Sequence, residues 1–167
     1  MSYSIESERL LLRSFTLTDA ECYFQMTSDA AIRKYVPYCR EEDLYSTKEL
    51  IRDYYMKCDF ARDFYVAIES KETHQLVGAI IAVATKTYPL ELDMSILIGS
   101  NYRRLGFMSE ALEAFAKTVP RPAYLNFMIE RDNIASLSTV SKLENIEEIP
   151  IFGHFKKDHR AFTLALK

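Results

Sequence analysis

The sequence is poor in the residues on which small disulfide-bonded and metal-binding domains depend. Its three cysteines, Cys22, Cys39 and Cys58, include no C-x-x-C pair. Neither a disulfide framework nor a zinc site is therefore expected, no other metal site is predicted, and a reducing compartment fits better. The longest apolar run, residues 76–84, is far shorter than the roughly 20 residues that a membrane-spanning helix needs. We therefore expect no membrane association.

Charge and the amino-terminal segment argue against two further classes of protein. The formal net charge at pH 7 is −3, whereas binding to the phosphate backbone of a nucleic acid needs a basic surface. The amino-terminal segment lacks the basic and then apolar parts of a secretory signal peptide, which indicates a cytoplasmic protein. With 167 residues, 49% hydrophobic and 27% charged, the chain is expected to form one globular domain over residues 1–167.

What the chain does contain is a regular order of apolar segments, which predicts an α/β fold with a mixed, mostly antiparallel sheet. Strands are predicted at residues 9–13, 64–69, 76–84, 90–98, 124–130, 149–155 and 161–166. Short polar connections between the second, third and fourth of these strands indicate an antiparallel meander.

Helices are predicted from capping signals and from apolar spacing. Capping boxes at residues 18–21 and 46–49 predict two amino-terminal helices, and apolar spacing predicts two more at residues 107–118 and 133–143. The strand, helix and strand around Gly106 predict one parallel crossover inside the sheet.

The segment at residues 103–109, RRLGFMS, is the most informative part of the sequence. It joins a predicted strand to a predicted helix, whose first backbone N–H groups and dipole form a site for an anion such as a pyrophosphate. Gly106 lets the backbone approach a ligand closely, while Arg103 and Arg104 add positive charge and Ser109 a hydroxyl. The same local features also fit an ordinary helix start with two solvated arginines. The segment is neither a G-x-G-x-x-G fingerprint nor a Walker A loop.

Four motifs in this chain resemble one known family. Arg103-x-x-Gly106-x-Met108 is similar to the (Q/R)-x-x-G-x-(G/A) acetyl-CoA signature of the GNAT acetyltransferases. Three other motifs are similar to the branch of that family that includes the ribosomal-protein N-terminal acetyltransferases RimJ and RimL. They are ERLLLR at residues 8–13, Y-x-P at residues 35–37 followed by S-x-x-E at residues 46–49, and N-x-x-S at residues 133–136 followed by Lys142-Leu143. Together the motifs cover nearly the whole chain.

The resemblance implies the GNAT fold, a mostly antiparallel central sheet that is flanked by helices and split between its fourth and fifth strands. These two strands map to residues 90–98 and 124–130. Acetyl-CoA would lie in the split. The residues that the resemblance implies for its binding are Ile96, Ile98, Arg103, Arg104, Leu105, Gly106, Phe107, Met108, Ser109, Asn133 and Ser136.

The implied reaction is transfer of an acetyl group from acetyl-CoA to a primary amine, on a protein N-terminus or a small molecule, by direct attack in a ternary complex. Ser136 would form a hydrogen bond to the leaving thiol, and Glu91 is the second expected catalytic residue. The base remains open among Glu91, Asp93, Glu130 and a chain of waters.

The expected acceptor side carries fewer signals. Tyr35 and Tyr38 would line the acceptor channel, with core packing as the alternative role for the tyrosines of this region. The oligomeric state is expected to be a monomer or a homodimer. For Asn133 a plain helix cap, and for Ser136 a position on the helix surface, are the alternatives.

One departure from the family pattern motivates a different function. The family usually continues K-L-G-F, whereas Glu144 and Asn145 follow Lys142-Leu143 here. Asn145 can replace the glycine in a left-handed cap only partly, and Ile146 is the candidate to replace the phenylalanine in the core. A catalytically weak or inactive CoA-binding protein of GNAT fold is therefore the alternative.

Overall fold

The structure is a computed structural model that describes residues 3–36, 43–58, 60–87, 89–151, 153 and 157–167. Its strands are β1 (Ser4–Glu6), β2 (Leu10–Ser14), β3 (Phe64–Ser70), β4 (Leu76–Thr87), β5 (Leu90–Ile98), β6 (Ala123–Glu130), β7 (Ile146–Ile149) and β8 (His159–Leu166). They form one sheet in the order β1-β2-β3-β4-β5-β6-β8-β7. The helices are α1 (Ala20–Ser28), α2 (Ala30–Arg33), α3 (Leu44–Leu50), α4 (Phe107–Ala116) and α5 (Ile134–Val140). One π-helical turn, Ile51–Tyr55, continues α3.

One parallel strand pair interrupts an otherwise antiparallel arrangement among the described residues. β5 pairs parallel with β6, over residues 90–93 and 123–126, and the other neighbouring strands pair antiparallel. Parallel neighbours need a crossover connection, and α4 supplies it. The predicted fold class, a mixed and mostly antiparallel sheet flanked by helices, is confirmed.

The pairing between β5 and β6 ends at Asp93 and Asn126, although both strands continue. The remaining residues of β5, up to Ile98, keep their pairing with β4 on one side and have no partner on the β6 side. The sheet is therefore open between the two strands that the sequence assigned to the split.

The two faces of the sheet carry separate apolar clusters. α4 and α5 cover one face, where Leu112, Phe115 and Leu137 are buried against β5 and β6. The amino-terminal helices cover part of the other face, where Tyr23 and Ile51 are buried. Full burial of a side chain such as Leu112 contributes about 2 kcal/mol to folding. No helix in the described residues is long and apolar enough to cross a membrane.

Two helices begin at residues other than the predicted caps. The capping box is formed by Thr16 and Asp19, not by residues 18–21, and a 3₁₀ turn precedes α1. α3 is capped by Asp43, whose carboxylate accepts the Ser46 N–H at 2.8 Å, so the predicted box at residues 46–49 was wrong. Asp and Asn are strong helix caps. When such a side chain precedes the predicted cap and accepts a backbone N–H of the first turn, the helix begins earlier than predicted.

The carboxy-terminal elements also differ from the prediction. α5 ends at Val140, three residues before the predicted end, and β7 starts at Ile146 instead of residue 149. Asn145 adopts the left-handed conformation with a φ of 61°, and Ile146 packs against the larger apolar cluster. Both residues thus take over the structural roles for which the family pattern has Gly and Phe.

A buried ion pair connects the first long strand to the first helix. Arg13 donates hydrogen bonds of 2.7 and 2.8 Å to Asp19 and of 2.7 Å to Glu69. The Asp19 side chain is only 5% exposed. Burial by itself raises the pKa of Asp19, but the hydrogen bonds and charge of Arg13 and the hydrogen bonds of Thr16 outweigh it and lower the pKa.

We predict that Asp19→Asn lowers the free energy of unfolding by about 3 kcal/mol at pH 7, because it leaves the Arg13 charge partly uncompensated. The folded-state pKa of Asp19 is lower than the unfolded-state value, so the stabilisation is complete above about pH 4 and is lost as the pH falls through the folded-state pKa. Urea denaturation of both proteins between pH 7 and pH 2 measures the difference, which should shrink on acidification. Asp158→Asn, at an exposed position, is the control. An equal, pH-independent loss in both variants would contradict the prediction.

Candidate active site

The opening between β5 and β6 is bordered by backbone groups. Since β4 pairs with β5 up to Ile98, only the β6-facing edge of β5 lacks a strand partner beyond Asp93. Unpaired N–H and C=O groups on such an edge are ready to pair with another extended chain. The predicted residues Ile96 and Ile98 lie on this part of β5 and are half-buried.

The loop that follows β5 brings uncapped helix amides next to this opening. Gly106 has a φ of 78° and stands directly before α4, and no side chain caps the first turn. The N–H groups of Phe107, Met108 and Ser109 have no acceptor inside the helix. Together with the helix dipole, N–H groups of this kind can bind an anion. Gly106 is required because the left-handed conformation costs other residues about 1–2 kcal/mol.

Positive side chains stand beside these amides. Arg103 is half-buried and Arg104 is exposed, and neither forms an ion pair with a described residue. The charge of Arg103 reaches the α2 cap Asp29, whose pKa is lowered first by the Ser100 hydroxyl, then by the Ala31 N–H, and also by Arg103. Both arginines therefore remain available for an anionic ligand.

A clamp that the sequence did not reveal holds the loop against the start of β2. Arg9 donates from Nη1 to the Leu105 carbonyl at 2.9 Å, and from its backbone N–H and Nε to the Glu110 carboxylate, each at 2.8 Å. The Ser7 hydroxyl donates to the same carboxylate at 2.6 Å, and the Arg9 guanidinium stands 4.8 Å from the Phe107 ring centroid.

These contacts tie the loop and the first turn of α4 to the turn before β2. Burial alone raises the pKa of Glu110, but the hydrogen bonds from Ser7 and Arg9 outweigh it and lower the pKa. Sequence patterns placed Arg9 in a strand motif and Glu110 in a helix motif. No local signal indicated that residues about 100 positions apart would meet.

The start of α5 lies on the other side of the opening. The Asn133 side chain accepts the Ser136 N–H at 3.2 Å, so Asn133 is the helix cap that the alternative role required. The Ser136 hydroxyl is half-buried and forms no hydrogen bond to a described residue. Ser136 thus has a donor that is free to serve a ligand.

Tyr35 approaches the same loop from the amino-terminal helices. Its hydroxyl donates to the Asp132 carbonyl at 3.3 Å, and the neighbouring Lys34 forms a 2.6 Å ion pair with the Asp132 carboxylate. Tyr35 lines a cavity of about 440 Å³ at the end of β6. Tyr38, the other predicted acceptor residue, lies outside the described residues.

The three candidate bases have different surroundings. Glu91 forms a 3.2 Å ion pair with Lys86, and Glu130 lies 3.8 Å from the His159 ring. Asp93 forms no ion pair with a described residue, and its pKa is raised by restricted solvation and by the charge of Glu91. The described residues contain no group of three or more His, Cys, Asp or Glu that could hold a metal.

Comparisons with known proteins all point to acetyltransferases. A family model described as an acetyltransferase (GNAT) domain matches residues 9–144. The uncharacterized N-acetyltransferase YnaD of Bacillus subtilis (strain 168) is 28% identical over 161 residues, covering 92% of this chain and 86% of that protein. The solved GNAT-family acetyltransferase from Bacillus anthracis has a TM-score of 0.79 at 18% identity, over 98% of each chain. RimL, a ribosomal L7/L12 α-N-protein acetyltransferase solved in complex with coenzyme A, has a TM-score of 0.79 at 13% identity over 98% of each chain.

We predict that Glu110→Gln loosens the loop at residues 103–109, because the neutral amide no longer pairs with the Arg9 guanidinium. The free energy of unfolding should fall by about 1–2 kcal/mol, as expected for partly exposed hydrogen bonds to a charged group. Hydrogen exchange of the loop amides should become faster. Glu113→Gln, on the exposed side of the same helix, is the matched control. Equal exchange rates in the two variants would mean that the clamp does not hold the loop.

Proposed function

The chain belongs to the GNAT acetyltransferase family, as its motifs predicted, and we propose that it transfers the acetyl group of acetyl-CoA to a primary amine by direct attack in a ternary complex. The observation that carries this proposal is the uncapped start of α4, which follows the end of β5 where β5 and β6 no longer pair. Helix amides, Arg103 and Arg104 supply donors and charge for a pyrophosphate. The unpaired edge of β5 supplies donors and acceptors for a pantetheine arm.

The residues present fit the pyrophosphate and pantetheine parts of coenzyme A. Residues 103–109 would bind the pyrophosphate, and the backbone at Ile96 and Ile98 would pair with the pantetheine amides as an added strand does. Asn133 would contact the pantetheine from the start of α5 while it caps the helix. The solved RimL complex with coenzyme A, which has the same fold, supports this assignment.

Acetyl transfer needs a nucleophilic amine, a stabilised oxyanion and a protonated leaving group. The amine nitrogen forms a bond to the acetyl carbon, the C–S bond breaks, and the sulfur takes the electron pair. Ser136 is proposed to donate a hydrogen bond to this sulfur from its unpaired hydroxyl. The amine loses a proton in the same sequence, so a base or water must accept it.

The acceptor is proposed to be a protein N-terminus or a small-molecule amine that enters beside Tyr35. RimL carries a ribosomal protein in its name, and another solved structure of this fold is the microcin C7 self-immunity acetyltransferase MccE. These names describe different biological roles for two proteins of one fold. The acceptor class of this chain must therefore be argued from its own side chains.

The alternative of an inactive CoA-binding protein loses its main support. It was motivated by Glu144 and Asn145 in place of the family pattern. Asn145 adopts the left-handed conformation that the pattern requires, and Ile146 packs on the apolar cluster. The departure is therefore accommodated at the end of α5, outside the strand opening.

A screen of primary amines with acetyl-CoA, read out as release of free thiol, tests the proposed reaction. The panel contains 2-phenylethylamine, aniline, spermidine and a peptide with a free amino terminus. Thiol release that depends on an amine, with the acetylated amine seen by mass spectrometry, is the expected result. CoA binding without turnover of any amine would favour the inactive alternative, and absence of CoA binding would refute both.

We predict that Arg103→Ala weakens CoA binding about tenfold, which corresponds to about 1.4 kcal/mol, because one guanidinium no longer pairs with the pyrophosphate. Isothermal titration with CoA measures the dissociation constant, and thermal unfolding without ligand measures stability. Lys117→Ala removes an exposed charge just beyond the other end of α4 and is the control. An unchanged dissociation constant together with a lower melting temperature would make Arg103 a structural residue.

We predict that Ser136→Ala lowers kcat about 10- to 100-fold and leaves the dissociation constant of acetyl-CoA unchanged. A hydrogen bond to the leaving thiolate exists mainly in the transition state, and a bond to a charged group contributes about 1.5–3 kcal/mol. Ser138→Ala, at an exposed position of the same helix, is the control. A wild-type kcat in Ser136→Ala would show that water alone protonates the thiolate.

A further inference from the structure

A row of polar residues crosses three strands at the closed end of the strand opening. Asp93 and Asn126 are the last residues of β5 and β6 that face each other in the register. Asn126 faces Thr163 on β8, and the Thr163 hydroxyl donates to the Asn126 side-chain oxygen at 2.9 Å. Asp93, Asn126 and Thr163 therefore lie side by side across three strands, at the point where the sheet opens.

This row lies on the sheet face opposite α4 and α5. Leu92 and Met94 belong to the apolar cluster that these helices cover, and side chains alternate along a strand, so Asp93 faces the other way. The same alternation on β6 buries Leu125 and Phe127 and leaves Asn126 on the face of Asp93. A molecule that reaches Asp93 must therefore approach from the side of the amino-terminal helices.

Apolar side chains flank Asp93, and no cation forms an ion pair with it among the described residues. Val83 faces Asp93 in the register with β4, and Tyr124 and Met128 flank Asn126 on β6; all three are exposed. Lys86, the nearest cation recorded on β4, is paired with Glu91. Glu91 is thus held in an ion pair with Lys86, whereas Asp93 has no ion-pair partner among the described residues.

The position of Asp93 matches the reacting end of acetyl-CoA, provided that the proposed function holds. The pyrophosphate site follows the end of β5 at Ile98. The five-residue step back to Asp93 spans about 17 Å at the usual rise of a strand, a length that an extended pantetheine arm can cover. The thioester would then reach the level of Asp93 in the opening.

We propose that Asp93, and not Glu91, is the catalytic residue that accepts the proton of the acceptor amine. The nitrogen attacks the acetyl carbon and becomes positively charged, and its N–H proton passes to a carboxylate oxygen of Asp93. The C–S bond then breaks, the sulfur takes the electron pair and a proton from water, and Asp93 returns its own proton to water, so that no net proton is gained or lost. Asn126, held by Thr163, orients the amine by accepting a second N–H.

The test compares Asp93→Asn with wild type on the amine panel. Removal of the base should lower kcat about 100-fold for strongly basic alkylamines such as 2-phenylethylamine. The loss should be clearly smaller for aniline, because its nitrogen becomes more acidic during attack and needs less help from a base. The thermal shift with CoA should stay at the wild-type value, and Asp93→Glu should restore part of the activity. Glu72→Gln, in the turn between β3 and β4, is the control.

The other outcomes separate this inference from the proposed function. A wild-type protein that turns over amines, with Asp93→Asn within threefold of it, overturns the inference alone. The same holds if Glu91→Gln loses activity while Asp93→Asn keeps it, or if Asp93→Asn loses its CoA thermal shift. An equal loss for alkylamines and aniline makes Asp93 a structural residue. Absence of turnover by the wild-type protein overturns both.

Discussion

Parallel strands can pair only while their backbones stay about 4.8 Å apart, and β5 and β6 keep that spacing only at residues 90–93 and 123–126. Both strands are long enough to continue, and each remains paired on its outer side, β5 with β4 and β6 with β8. The separation of β5 and β6 therefore leaves the pairing of both strands with their other neighbours intact. It leaves one backbone edge of each strand without a strand partner. A ligand that pairs with these edges replaces the missing strand contacts.

The helices around this opening are positioned by the same strand pair. A parallel pair requires a crossover, and the crossover helix α4 starts where β5 ends, so its uncapped N–H groups face the open end. α5 follows β6 in the same way and brings Ser136 to the same face. Anion-binding donors and a free hydroxyl thus follow from topology, while Arg9 and Glu110 hold the loop in place.

In the proposed reaction, the donor and the acceptor contact opposite faces of the sheet. α4 and α5 cover one face, where the larger apolar cluster is buried. The other face is left open at Tyr124 and Met128 and carries Asp93 and Asn126 where the strands separate. A leaving group and an incoming amine can therefore meet protein groups from opposite sides of one carbon atom.

The sequence by itself determined the order of elements, the meander from β3 to β5, the helix start at Gly106 and the left-handed Asn145, because each depends on neighbours within a few residues. Only the tertiary structure decided the contacts that join distant segments: the Arg9 and Glu110 clamp, the pair of Arg13 with Asp19 and Glu69, and the row from Asp93 to Thr163. Strand register and side-chain direction set these contacts, and neither leaves a local pattern. The choice of base among candidates such as Glu91 and Asp93 stays a prediction, since these two residues share a strand face and differ only in the residues that the fold places beside them.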